Sequence, residues 1–96
     1  MERDQLLTTL RAGREVWEAH GVAALLLFGS TARGEAHDGS DVDLLVEFRR
    51  PIGLLEFSRL RRELEAMVGR PVDLVTVDAL KPRMRDAILR DAVRAA

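Results

Sequence analysis

The sequence predicts a small α/β (α+β) fold: a mixed β-sheet of about three strands with helices packed on one face, in the order α-β-β-α-β-α. Three observations carry that prediction. Stretches of helical hydrophobic spacing alternate with short continuous apolar runs. Only a loop joins the first apolar run to the second, which favours an antiparallel pair. A helix of some fifteen residues separates the second run from the third, and that is the signature of a parallel crossover.

Each element has its own justification. From Glu2 to His20, Leu6, Leu7, Leu10, Val16 and Trp17 fall close to one helical stripe with charges between them. Trp17 is expected to anchor the core. His20-Gly21 suits a helix exit, because glycine takes the left-handed conformation cheaply, and His20 is expected to complement the helix dipole or meet solvent. Val22 to Phe28 is too short for a separate helix and suits a buried strand. Gly29 to Ser40 is polar and glycine-punctuated, a long loop with a helical turn near Thr31–Arg33. Asp41 to Phe48 resumes as a strand, which Pro51 and Gly53 end. Leu54, Leu55, Phe57, Leu60, Leu64, Met67 and Val68 then return at helical spacing, with Arg59, Arg61 and Arg62 on the solvated side and Gly69 and Pro71 as stop signals. Val72 to Val77 is the third strand. Asp78 is placed to cap a last helix that has Pro82 near its first turn and Met84, Ile88, Leu89 and Val93 as its apolar side.

Composition bounds the function. The 96 residues suffice for one domain, residues 1–96. Hydrophobic residues make up 47% and charged residues 32%, which fits a globular chain rather than a disordered one. Fifteen basic side chains against sixteen acidic ones leave a net charge of −1. That supplies no broad field for gripping a nucleic-acid backbone, so direct nucleic-acid binding is not expected. With no cysteine, disulfide scaffolds, thiolate zinc sites and cysteine nucleophiles are excluded. No apolar run approaches the roughly 20 residues of a membrane span, and no signal-peptide pattern opens the chain; a cytoplasmic protein with no membrane partner is expected. Arginine supplies nearly all the basic residues and asparagine is absent, a usage that a thermophilic source and a GC-rich genome produce alike.

The strand directions bring the polar residues together. If the first pair is antiparallel and the second parallel, the end of strand one and the starts of strands two and three share one sheet edge. That edge carries Gly29-Ser30, Asp41 with Asp43, and Asp73. Asp41 and Asp43, one residue apart on a strand, point to the same face, and Val42, Leu44, Val46 and Phe48 point to the other. Glu47 shares the carboxylate face, either joining the site or meeting water at the strand's far end. Two carboxylates about 4 Å apart repel by roughly 4 kcal/mol at an effective dielectric of 20, so a triad is costly without a cation. An all-oxygen ligand set suits magnesium or manganese rather than zinc. Solvated turn or capping aspartates are the plainer alternative. Glycine at position 29 lets backbone N–H groups approach an anion, Ser30 offers a hydroxyl, and Arg33 a cation; an ordinary glycine turn with a solvated arginine has the same sequence. His37, in the loop, is read as solvated.

The string Phe28-Gly29-Ser30-Thr31-Ala32-Arg33-Gly34-Glu35, a gap of ten residues between Ser30 and Asp41, and then Ser40-Asp41-Val42-Asp43-Leu44-Leu45-Val46 resembles the minimal nucleotidyltransferases of the DNA polymerase beta-like superfamily. Pro71-Val72-Asp73-Leu74-Val75 resembles the segment that carries that family's third carboxylate. The resemblance covers almost the whole chain. It implies nucleotidyl transfer from a nucleoside triphosphate, with ATP as the usual donor. Asp41 and Asp43 would hold two divalent ions, magnesium or else manganese. Asp73 would join one of them and help activate the acceptor hydroxyl. Ser30 and the backbone at Gly29 would bind the β- and γ-phosphates, assisted by Arg33. The resemblance also implies a partner: an antitoxin that binds a HEPN ribonuclease toxin, in a hetero- or homo-oligomer, and adenylylates a tyrosine on it. Two other readings compete, an antitoxin that neutralises by occlusion alone and a transferase acting on RNA or a small molecule.

Overall fold

The computed structural model describes residues 3–35 and 41–95. Helix α1 (Arg3–Ala12) buries Leu6, Leu7 and Leu10, and α2 (Arg14–Glu18) buries Trp17. The sequence reads these as one helix; the structure divides them at Gly13, a residue with low helix propensity. The Trp17 indole N–H donates to the Leu10 carbonyl at 2.9 Å and ties the two pieces together. Strand β1 (Val22–Leu27) follows, then a single turn of helix, α3 (Gly29–Ala32), and strand β2 (Val42–Phe48). Helix α4 (Leu54–Val68) has the predicted bounds and ends on Gly69 at φ 71°, the left-handed cap. Strand β3 (Val72–Thr76), a 3₁₀ turn (Val77–Ala79), helix α5 (Pro82–Asp91) and a short strand β4 (Val93–Arg94) complete the order.

The sheet runs β3-β2-β1-β4. β1 and β2 are antiparallel, with Leu27 opposite Leu44 and Leu25 opposite Val46. β2 and β3 are parallel, with Val42 opposite Val72 and Leu44 opposite Leu74. Leu25, Leu27, Val42, Leu44 and Val46 form one face and join Leu6, Leu10, Trp17, Leu60 and Leu64 in a single core cluster. The period-two pattern of β2 thus sends Val42, Leu44 and Val46 into the core and places Asp43 on the opposite face.

The last helix departs from expectation. Asp78 lies in the 3₁₀ turn and does not cap α5, whose N-cap is Lys81 with Pro82 following at N1. Met84 is 50% exposed and Leu89 39% exposed. No residue of α5 joins the core cluster, and the helix packs against α3. Val93, expected on the helix, is opposite Leu27 in β4 instead. The reason is hydrogen bonding. The free edge of β1 offers backbone partners, and the Ala95 N–H reaches the Leu25 carbonyl at 2.7 Å. His20 is also better held than expected, with its two ring nitrogens 3.2 Å from a Glu56 oxygen and 2.6 Å from a Glu63 oxygen, which ties the entry of β1 to α4.

Candidate active site

The register brings the predicted residues to one edge of the sheet. Asp43 stands directly opposite Asp73 across the parallel β2–β3 pair, and residues opposite each other in a ladder share a face. β1 ends at Leu27, opposite Leu44, so the chain turns into α3 beside Asp43. Gly29 opens that turn at φ 60°. A Cβ built there would stand 2.8 Å from the Asp43 Oδ2, so the backbone of the glycine-serine turn lies against the carboxylate. Both the conformation and the close approach call for glycine. Ser30, half-buried, is the second residue of α3, and its carbonyl accepts the Glu35 N–H at 2.9 Å. Asp41 is exposed just before β2, and Asp73 is exposed on β3. Arg33 closes α3 as its C-cap, exposed, with its Nε 3.2 Å from a Glu35 carboxylate oxygen.

The charges act on one another. Burial raises the pKa of Asp43 above its ordinary value of 3.8; Asp73 and then Asp41 raise it further, and Arg33 pulls it back. The Asp43 carboxylate thus feels both of the other carboxylates, and Arg33, the cation that acts on it, is also paired with Glu35. Among the described residues, no three acidic or histidine side chains are gathered into a ready-made metal cage. The donor set is still the right one for a hard divalent cation: carboxylate oxygens without nitrogen or sulfur, with repulsion left unbalanced.

Of the two readings left open for Glu47, the structure favours solvent. Glu47 is exposed and lines a hollow with Phe48, Arg50 and Asp78, four residues along β2 from Asp43 and so about 13 Å away at a strand's rise. His37 and Ser40 lie outside the described residues. One residue escaped the sequence reading. Thr31 is a buried polar side chain at 1% exposure, and its Oγ1 accepts the backbone N–H of Asp43 at 3.1 Å. A threonine inside a predicted helical turn gives no signal of that bond, which depends on where β1 stops.

Over residues 10–95 the sequence matches the nucleotidyltransferase domain family. Protein adenylyltransferase MntA of Thermococcus cleftensis is 41% identical over 92 residues, which cover 96% of this chain and 91% of that one. A solved structure described as a candidate minimal nucleotidyltransferase is similar at a TM-score of 0.75 and 45% identity, over 91% of this chain and 93% of the other. A chain from the structure of a tri-AMPylated Shewanella oneidensis HEPN toxin in complex with an MNT antitoxin is similar at a TM-score of 0.66 and 14% identity, over 94% of this chain and 71% of that one. At that identity the likeness is one of fold.

Proposed function

The chain belongs to the nucleotidyltransferase domain family, and on that premise we propose that it moves AMP from ATP onto a tyrosine hydroxyl of a HEPN ribonuclease toxin and so acts as its antitoxin. The observation that carries the chemistry is the Asp43–Asp73 register pair with the Gly29 backbone packed against it. The curated adenylyltransferase at 41% identity supports a protein acceptor, and the fold shared with a toxin–antitoxin complex supports the class of partner. The working form is then a hetero- or homo-oligomer in the cytoplasm; among the described residues no helix is long and apolar enough to cross a membrane.

In this reading Asp41, Asp43 and Asp73 hold divalent cations, magnesium or manganese. When bound, such ions neutralise charge on the triphosphate and on the developing transition state. The chain's own residues do the rest. Gly29 and Ser30 bind the β- and γ-phosphates through backbone N–H groups and the Ser30 hydroxyl, and Arg33 releases Glu35 to pair with a phosphate oxygen. Asp73 orients the acceptor hydroxyl, and its carboxylate takes up the hydroxyl proton. The acceptor oxygen bonds to the α-phosphorus as the bond to the bridging oxygen breaks, and pyrophosphate leaves.

The test is ligand linkage. Magnesium with ATP at a hundredfold excess over Kd stabilises the fold by about 2.7 kcal/mol, a rise in Tm on the order of 10 °C for a domain this small. The shift is expected in the wild type and is expected to vanish in Asp43→Asn. No shift at saturation, or the same shift in both proteins, would contradict the site.

A further inference from the structure

We propose that Thr31 is a positioning residue: its hydroxyl replaces a missing strand partner and holds Asp43 in the geometry that binds a divalent cation. The proposal rests on the reading of Asp43 as a cation ligand.

After Leu27 and Leu44, the next antiparallel pair would be Phe28 with Asp43, each donating its N–H to the other's carbonyl. Only half of that exchange is made. The Phe28 N–H donates to the Asp43 carbonyl at 3.1 Å, but the Phe28 carbonyl has turned into α3, where it accepts the Ala32 N–H at 3.3 Å. The turn that creates the phosphate-binding segment thus removes the acceptor that Asp43 needs. A backbone N–H left unpaired at this depth is costly. Thr31 Oγ1 takes the vacated place at 3.1 Å, and the threonine is almost wholly buried.

The consequence is a bridge between the two halves of the site. The Asp43 carbonyl accepts from Phe28 and its N–H donates to Thr31, the two residues that flank Gly29 and Ser30. With the backbone fixed, the Asp43 carboxylate stays against Gly29. Valine at position 31 keeps the shape and deletes the acceptor. Serine keeps the acceptor and deletes a methyl group.

The experiment compares wild type, Thr31→Val, Thr31→Ala and Thr31→Ser by backbone amide hydrogen exchange and by Mn²⁺ binding followed by electron paramagnetic resonance. In the valine and alanine variants, exchange at the Asp43 N–H is expected to speed up at least tenfold relative to the Val42 N–H, which donates to the Pro71 carbonyl at 2.9 Å and serves as the internal control. Mn²⁺ affinity is expected to fall about tenfold in both and to be restored in the serine variant. A loss of stability alone would speed both amides together and leave Mn²⁺ affinity unchanged per folded molecule, and that result overturns the proposal. So does a serine variant that behaves like valine, or unfolding of both the valine and alanine variants. If the wild type binds no Mn²⁺, the reading of Asp43 as a cation ligand fails and the positioning role falls with it; the exchange data then report the hydrogen bond alone.

Discussion

Asp43→Asn is expected to lower the rate of nucleotidyl transfer by about a thousandfold, roughly 4 kcal/mol of transition-state stabilisation, and to raise the Tm measured without divalent cations. The two effects have one cause. Asp43 is the aspartate whose charge the fold opposes, first through burial and then through Asp73 and Asp41. A carboxyl whose folded pKa lies above its unfolded value binds more protons when folded than when unfolded. Its contribution to stability is therefore most favourable below the unfolded pKa and declines as pH rises through the folded one. Asparagine removes that decline. The Tm advantage of the variant over wild type should be absent in strong acid, grow as pH rises past the ordinary value of 3.8, and level off near neutrality. Thermal melts across pH in chelator-treated buffer check the sign, and a steady-state transfer assay checks the rate. A variant that melts lower than wild type at neutral pH would mean that Asp43 is held by favourable contacts rather than by a missing cation.

Gly29→Ala is expected to cut transfer by more than a hundredfold and to cost about 1–2 kcal/mol of stability. The stability term follows from φ 60° at this position, where an L residue meets its own carbonyl. The larger catalytic term follows from the 2.8 Å approach of the new methyl to Asp43 Oδ2, which forces the carboxylate to move. Small displacements of a catalytic group cost far more in rate than in stability. Gly34, at φ 73° with nothing among the described residues within 4 Å of a Cβ built there, is the control: Gly34→Ala is expected to show a comparable loss of stability and retain most activity. Equal activity losses in the two variants would show that backbone strain, rather than the contact with Asp43, governs position 29.

The placement of the candidate site was legible in the sequence because its parts are topological. A loop between two strands and a helix between the next two determine strand direction, and direction brings Gly29, Asp43 and Asp73 to one edge. Helix α4 was legible to the residue, because its stripe is long and a glycine and a proline mark its end. What escaped depends on partners distant in sequence. Val93 continues the apolar stripe of α5, and only the unpaired edge of β1 draws it into a strand. Gly13 divides the first helix without interrupting its periodicity, so the stripe conceals the break. Thr31 looked like a turn residue, because its value arises from the carbonyl that Phe28 withdraws from β2.

Transfer of a nucleotide to a protein hydroxyl is read out by intact-mass spectrometry. A HEPN-type toxin that binds this chain would be incubated with it, ATP and magnesium, and then weighed, with Asp41→Asn as the paired control. An added adenylate mass on the partner that maps to a tyrosine and disappears in the variant is expected. A partner that forms a stable complex yet gains no mass would contradict it, and would leave neutralisation by binding as the function of this fold.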